Sequence, residues 1–323
     1  MDLISVIVPV YNKEATLDQC LSSLLGQQLS LSLSAESEIN LQLIVIDDGS
    51  TDSSLQVAQK YAQQDKRILL LHQHNQGVGA ARENGLNHVA GSYIAFCDPD
   101  DWVEPDWLVS MYTTLKQHDA DFVVYGAIKA SVHRNPDEQL VWDRNTAICR
   151  FLEHKKLNGT LWTKLFRASL FSGVHFDPRQ TNYEDDDVVW QVLQKADKVV
   201  RVNDAKYHWR IDGDSLSNGR ATEGRIRSGV LFVSKVEESV RLMPTRRFDS
   251  LADRFCRSWL YSHIKQMYRA DIRNASLEHT MLARLRRHPL NTLRAQKATK
   301  DKLFASLAML CPPLARQLFN KLA

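Results

Sequence analysis

The sequence predicts an α/β fold: a mostly parallel sheet flanked by helices, followed by a helical appendage. Strand and helix patterns alternate over the first ~130 residues, as expected when parallel strands are joined by crossover helices. Acidic clusters follow two of the strand patterns, and from about Arg220 the pattern is helical and rich in Arg to the end.

Ser5 to Val10 (SVIVPV) is a β-branched run suited to a buried strand. Leu17, Leu21 and Leu24 then recur at i, i+4 and i+7, one face of a helix. Leu43 to Asp47 (LIVID) reads as a second buried strand, followed by a DGSTD loop and a helix carrying Leu55, Ala58 and Ala62. Ile68 to His72 is a third strand, NQGVGAAREN opens another helix, and Ser92 to Phe96 is a fourth strand running into Cys97 and Asp98. Phe122 to Tyr125 reads as a fifth. After Gly126 the alternation fades, until NYEDDDVVW, from Asn182, opens a helix with Val188, Val192 and Ala196 on one side. Ser30 to Glu38 is a polar insertion.

The 323 residues are 44% hydrophobic and 24% charged, ordinary globular usage that excludes a disordered chain. They suit a domain over residues 1–219 and a basic helical region over 220–323. Cys20, Cys97, Cys149, Cys256 and Cys311 have neither zinc-ligand nor redox spacing, so a reducing cytoplasm is the expected compartment. MDLISVIVPVY has no basic n-region and reads as a first strand rather than a signal peptide. No run reaches the ~20 apolar residues of a spanning helix. The net charge of +3 hides an asymmetry: 20 Lys and Arg against 30 Asp and Glu up to Gly219, then 21 against 8. The balances are −10 and +13. A basic region of this kind suits an anionic surface.

In such sheets functional loops lie at the carboxyl ends of strands. Asp47 and Asp48 close the second strand and Asp98 to Asp101 the fourth, so both clusters are expected on one rim. Asp98, Asp100 and Asp101 set three carboxylates within four residues, a costly arrangement without a cation. Mg²⁺ is typically held by one or two carboxylates and by substrate phosphates. The alternative is a helix beginning near Trp102, with acids placed to suit its dipole. Asp48 is placed to accept hydrogen bonds from a base or ribose, with Gly49 allowing close approach; the alternative is a plain turn with Ser50 or Thr51 as helix cap. Gly77 and Gly79 precede a helix as in phosphate-cradling loops, without the full dinucleotide fingerprint. Arg82 on its first turn would meet phosphate, or is a surface Arg. Glu184 and Asp185 are candidates for a general base, or acids complementing a helix N-terminus. His72 and His74 share a face, as metal ligands or as solvated histidines. In LWTKLFR, Trp162, Leu165 and Phe166 suit core packing.

Taken in order, SVIVPVYNKEATLDQCLSSLLGQ, IVIDDGSTDSS, NQGVGAARENGL, GSYIAFCDPDDWVEPDWL, LWTKLF, NYEDDDVVWQVL and YHWRIDGDSLS resemble the bacterial family-2 glycosyltransferases. The resemblance covers about Ser5 to Ser217 and implies the GT-A fold, a Rossmann-like sheet, and an inverting transfer from a nucleotide-diphosphate sugar, most often a UDP-sugar. By that resemblance Pro9, Tyr11 and Glu14 line the nucleotide pocket with Asp47 and Asp48, the latter contacting the base. Asp98-Pro99-Asp100 matches the DxD element, with Asp100 or Asp101 ligating Mn²⁺ or Mg²⁺ and Asp98 nearer ribose or sugar. Asp185 matches the proposed catalytic base, with Glu184 beside it. Gly77 and Arg82 fall near the donor phosphates, and Trp162 and Lys164 match a pocket-lining W-x-K-L stretch. The chain departs from the pattern in a longer Gln27 to Leu41 connection and in Glu83, which stands where the family has Asn.

The acceptor implied is a saccharide or lipid-linked saccharide of capsule, exopolysaccharide or lipopolysaccharide assembly, with transfer at the inner face of the cell membrane. The basic region would make peripheral membrane contact there, or be a solvated appendage or dimerisation element. Nucleic acid is not expected, since the tail lacks interleaved stacking aromatics. A non-catalytic nucleotide-sugar module would keep the Asp48 pocket but dispense with a base and metal, against which both acidic clusters argue, and a nucleotidyltransferase would carry a Gly-rich, Lys-bearing N-terminal signature that is absent. The sequence leaves the oligomeric state open.

Overall fold

The computed structural model describes residues 2–30, 39–128, 135–210 and 221–321. The chain forms two compact units. One comprises the described residues of 1–148, 156–178 and 188–211; the other comprises 149–155, 179–187 and those from 221 onward. The expected division between 219 and 220, like most of the polar insertion, lies outside the described residues. The second unit also takes in 179–187, a segment that the sequence pattern assigns to the first.

In the first unit the elements run β1 (Asp2–Val10), α1 (Leu17–Leu25), β2 (Ile39–Asp47), α2 (Ser54–Gln64), β3 (Ile68–His72), α3 (Val78–Leu86), β4 (Tyr93–Phe96), β5 (Trp102–Val103), α4 (Trp107–His118), β6 (Phe122–Ile128), β7 (Asn135–Asp143), the start of α5 (Arg144–Leu152), β8 (Lys164–Arg167), most of α6 (Glu184–Leu193), and β9 (Lys198–His208). Among the described residues the strands make one sheet in the order β3-β2-β1-β4-β8-β6-β9-β5, with β7 on β9. The first four are parallel and, with β6, are the strands that the alternation predicts. Beyond β4 the sheet is mixed, because β8 runs antiparallel between β4 and β6.

β1 is buried from Ile4 to Val10, which explains its continuous apolar run: with both faces covered there is no solvent side to alternate with. Leu17, Leu21 and Leu24 are fully buried on one face of α1, as their spacing predicts. α3 lies so close to the sheet that a Cβ at Gly85 would fall 2.7 Å from Ile7 Cγ2. Only glycine allows that approach, and it brings the N-terminus of α3 to the carboxyl end of the strands.

The second unit is helical: α7 (Glu223–Leu242), α8 (Asp249–Arg269), α9 (Ala275–Arg287), α10 (Pro289–Ala295), α11 (Thr299–Leu310) and α12 (Pro312–Lys321). Its core packs Phe232 of α7 edge-on against Phe255 and Trp259 of α8. Buried Arg257 is satisfied by Asp253 at 2.7 Å and by the carbonyl of Arg284 at 3.1 Å, tying α8 to α9. The helical C-terminal region is thus as expected. No helix among the described residues is long and apolar enough to cross a membrane.

Candidate functional site

Three adjacent parallel strands end at one rim of the first unit: Val10 pairs with Asp47, and Ile7 with Phe96. Both acidic clusters leave the sheet there, flanking the end of β1.

Asp47 is fully buried at the end of β2. Its Oδ2 lies 2.7 Å from His72 Nδ1, while its Oδ1 is buried with no hydrogen-bond partner among the described residues. Leaving a buried acceptor unmet costs about 1–3 kcal/mol, so that oxygen is suited to an incoming donor. Asp48, expected to contact the base, holds the loop before α3 with both oxygens. Oδ1 accepts from Gln73 Nε2 at 2.8 Å and from the Gln76 amide at 2.9 Å, and Oδ2 accepts from the Gly77 amide at 2.8 Å. Both oxygens fasten the loop before α3. Gly49, at φ 72°, lets the β2 turn meet that loop, since a Cβ there would lie 2.8 Å from the Asn75 amide nitrogen. Tyr11 is 44% exposed at the rim, and Pro9 is buried within β1. Glu14 Oε2 accepts from the Ser53 amide at 2.8 Å, joining the loops after β1 and β2.

The DPDD loop is held from several sides. Arg82 is buried rather than a surface residue, and its Nη2 donates to Asp98 Oδ1 at 2.9 Å. The Tyr207 hydroxyl accepts from the Asp98 amide at 3.0 Å and donates to Asp101 Oδ2 at 2.7 Å. Asp101 Oδ1 accepts from the Arg210 amide at 2.8 Å. Asp101 is therefore buried with both oxygens in hydrogen bonds. Burial pushes its carboxyl up to about 7, with the Asp98 and Asp100 charges adding to the rise and the bonds from Arg210 and Tyr207 opposing it. Asp100 is more open: Lys13 Nζ donates to its Oδ2 at 2.8 Å. Arg210 Nε donates to the Asp100 carbonyl at 2.9 Å, and its guanidinium lies over the Trp102 ring at 5.1 Å. Trp102 begins β5, not a helix, so the helix-dipole alternative for these acids does not apply.

Trp162 stacks on Tyr207 with centroids 4.6 Å apart. Lys164 is buried, and its Nζ donates to the Thr160 carbonyl and lies 3.3 Å from Thr163 Oγ1, bracing its own loop. Glu83, where the pattern has Asn, accepts from the Phe176 amide at 2.9 Å and pairs with His175 at 2.9 Å. His72 serves Asp47. Glu184 and Asp185 stand on the first turn of α6, in the second unit. Among the described residues no group of three or more His, Cys, Asp or Glu is arranged as a metal cage. Asp100 offers a carboxylate of hard oxygen donors, the kind that shares a small divalent cation with substrate phosphates. Lys13, Tyr207 and Arg210 were not singled out by sequence. Their signal lay in the VYNKE and YHWR stretches, which carry them without showing what they touch.

Residues 5–178 match the model of the family described as Glycosyl transferase family 2. The chain is 33% identical over 229 residues to glycosyltransferase GlyA of Streptococcus pneumoniae, covering 67% of this chain and 32% of that one. It is 31% identical to putative glycosyltransferase EpsH of Bacillus subtilis, covering 66% and 62%. The chain thus spans about a third of the first relative and under two thirds of the second. Among solved structures, S. aureus TarS 1–349 in complex with UDP-GlcNAc superposes with a TM-score of 0.69 at 18% identity, covering 99% of this chain and 91% of that one. That likeness is one of fold.

Proposed function

The chain belongs to glycosyl transferase family 2, and on that premise we propose that it is an inverting, metal-dependent transferase moving a sugar from a UDP-sugar to a saccharide or lipid-linked saccharide acceptor in surface polysaccharide assembly. Its fold is GT-A, a mixed sheet flanked by helices. The observation that best supports the donor reading is the meeting of the two acidic clusters at the ends of β2 and β4, on either side of β1, with a buried acceptor unmet among the described residues on one side and an open carboxylate on the other. Asp47 Oδ1 suits the N–H of a nucleobase, and Tyr11 offers a ring for that base to lie against. Lys13 suits the diphosphate directly, and Asp100 suits it through a shared cation. A Mn²⁺ or Mg²⁺ ion held by Asp100 would neutralise the diphosphate and stabilise its departure. Asp101, Asp98 and Arg82 keep the loop in place for that contact.

Asp185 is the proposed base, on the strength of the NYEDDD stretch. It takes the proton of the acceptor hydroxyl as that oxygen attacks the anomeric carbon from the face opposite the leaving diphosphate. One displacement inverts the centre. The direct test is a panel of nucleotide sugars, followed by release of nucleoside diphosphate with and without Mn²⁺. Turnover of a UDP-sugar that rises with Mn²⁺ is expected. Indifference to every donor would end the proposal.

Peripheral membrane contact has its own support in the second unit. Leu303 and Leu310 of α11 are 69% and 85% exposed, and Leu314 and Leu318 of α12 are exposed as well. Residues 296–321 carry Lys297, Lys300, Lys302, Arg316 and Lys321 against one acid, Asp301, which is bound to Lys265. Exposed leucines beside lysines suit an anionic lipid surface, each basic residue contributing ~1 kcal/mol near it. Co-sedimentation with phosphatidylglycerol vesicles, absent with phosphatidylcholine and lost in an L310E/L314E variant, is the expected outcome. Equal recovery with both lipids, or leucine-dependent self-association in their absence, would refute it.

A further inference from the structure

Four carboxylates, Glu184 to Asp187, open α6. A helix N-terminus favours acids, but four in a row repel one another and need fixing. α7 of the second unit does that for the last of them. Asp187 is buried, and Lys235 of α7 places Nζ 2.5 Å from its Oδ2. The same ammonium donates to Gln180 Oε1 at 3.2 Å, and Gln180 Nε2 donates to the Tyr183 carbonyl at 2.9 Å. Tyr183 has φ 61°, the left-handed region that a bulky side chain seldom adopts. It is braced on three sides. Its hydroxyl accepts from Arg225 Nε at 3.1 Å, and its ring stands edge-on to Trp259 at 5.0 Å and to His263 at 5.4 Å. Upstream, the Thr181 amide donates to Ser228 Oγ at 3.1 Å.

We propose that Lys235 and Arg225 are positioning residues of the transferase: gripping Asp187 and Tyr183, they set the turn that carries Asp185 between them. This rests on Asp185 being the base. α7 is then working machinery rather than a detachable basic appendage, and the strain at Tyr183 sits where the fold over-determines it.

The test uses the full chain, with release of UDP from the UDP-sugar that the wild type turns over in the panel. K235M should lower kcat about tenfold or more while KM for the donor stays within about twofold, the signature of an interaction needed after binding. K235R should keep kcat within about threefold, since it restores the pair to Asp187. R225Q should lower kcat in the same direction without leaving a buried carboxylate uncompensated, so it decides the matter if K235M does not fold. Amides 184–188 should exchange hydrogen faster in K235M and R225Q than in the wild type. D185N runs in parallel. If D185N keeps full turnover, the base assignment fails, and the exchange result still judges the grip. If D185N is inactive while K235M and R225Q show wild-type kcat and exchange, the grip is overturned.

Discussion

Replacing Asp185 by asparagine is expected to lower turnover by about 10²–10⁴-fold, the usual contribution of a positioned general base. Donor affinity should stay within about twofold, because a group that acts on the acceptor hydroxyl contributes to the transition state and not to ground-state binding of the nucleotide. Asparagine keeps the volume and can still accept a hydrogen bond at the helix start, so α6 should remain folded. The check is single-turnover transfer together with titration of UDP. Near wild-type transfer would remove Asp185 from the chemistry and leave Glu184 as the next carboxylate to change.

Asp100→Asn should raise the Mn²⁺ concentration for half-maximal activity at least 10–100-fold, since even an outer-shell partner of a metal ligand is worth that much. The loss should lessen at high Mn²⁺, which is what distinguishes a ligand from a structural residue. Asp101→Asn supplies the contrast. Its oxygens accept from the Tyr207 hydroxyl and the Arg210 amide, so its loss should loosen the whole loop and not respond to added metal. If the metal titration of Asp100→Asn overlays the wild type, the cation is held elsewhere or is not used.

The parallel half of the sheet was legible because β1 to β4 follow simple patterns: unbroken apolar runs for strands covered on both faces, and leucines at helical spacing between them. β8 and β9 were not. Lys164–Arg167 is four residues long and has the composition of any core patch. Lys198–His208 interleaves charges with its apolar residues. Its place between β6 and β5 depends on pairings that no local pattern encodes. The acids themselves were visible; their division of labour was not. What separates Asp100 from Asp101 is a tyrosine 106 residues further on, and what separates Asp47 from Asp48 is which of them finds the amides of the Gln76–Gly77 turn. Arg82 reads as a phosphate ligand from its place on a helix start, yet its burial against Asp98 follows from the sheet order that brings α3 beside β4's loop.

The bonds from Asp48 to the Gln76 and Gly77 amides lie within the chain itself and form when it folds. The ordering entropy of that segment is therefore lost once, during folding, rather than at each round of donor capture. On the proposed function, the nucleotide pocket is preorganised here. Nucleotide association should then be fast and close to rigid-body on this side, and Asp48→Ala should act mainly by slowing capture and hastening escape.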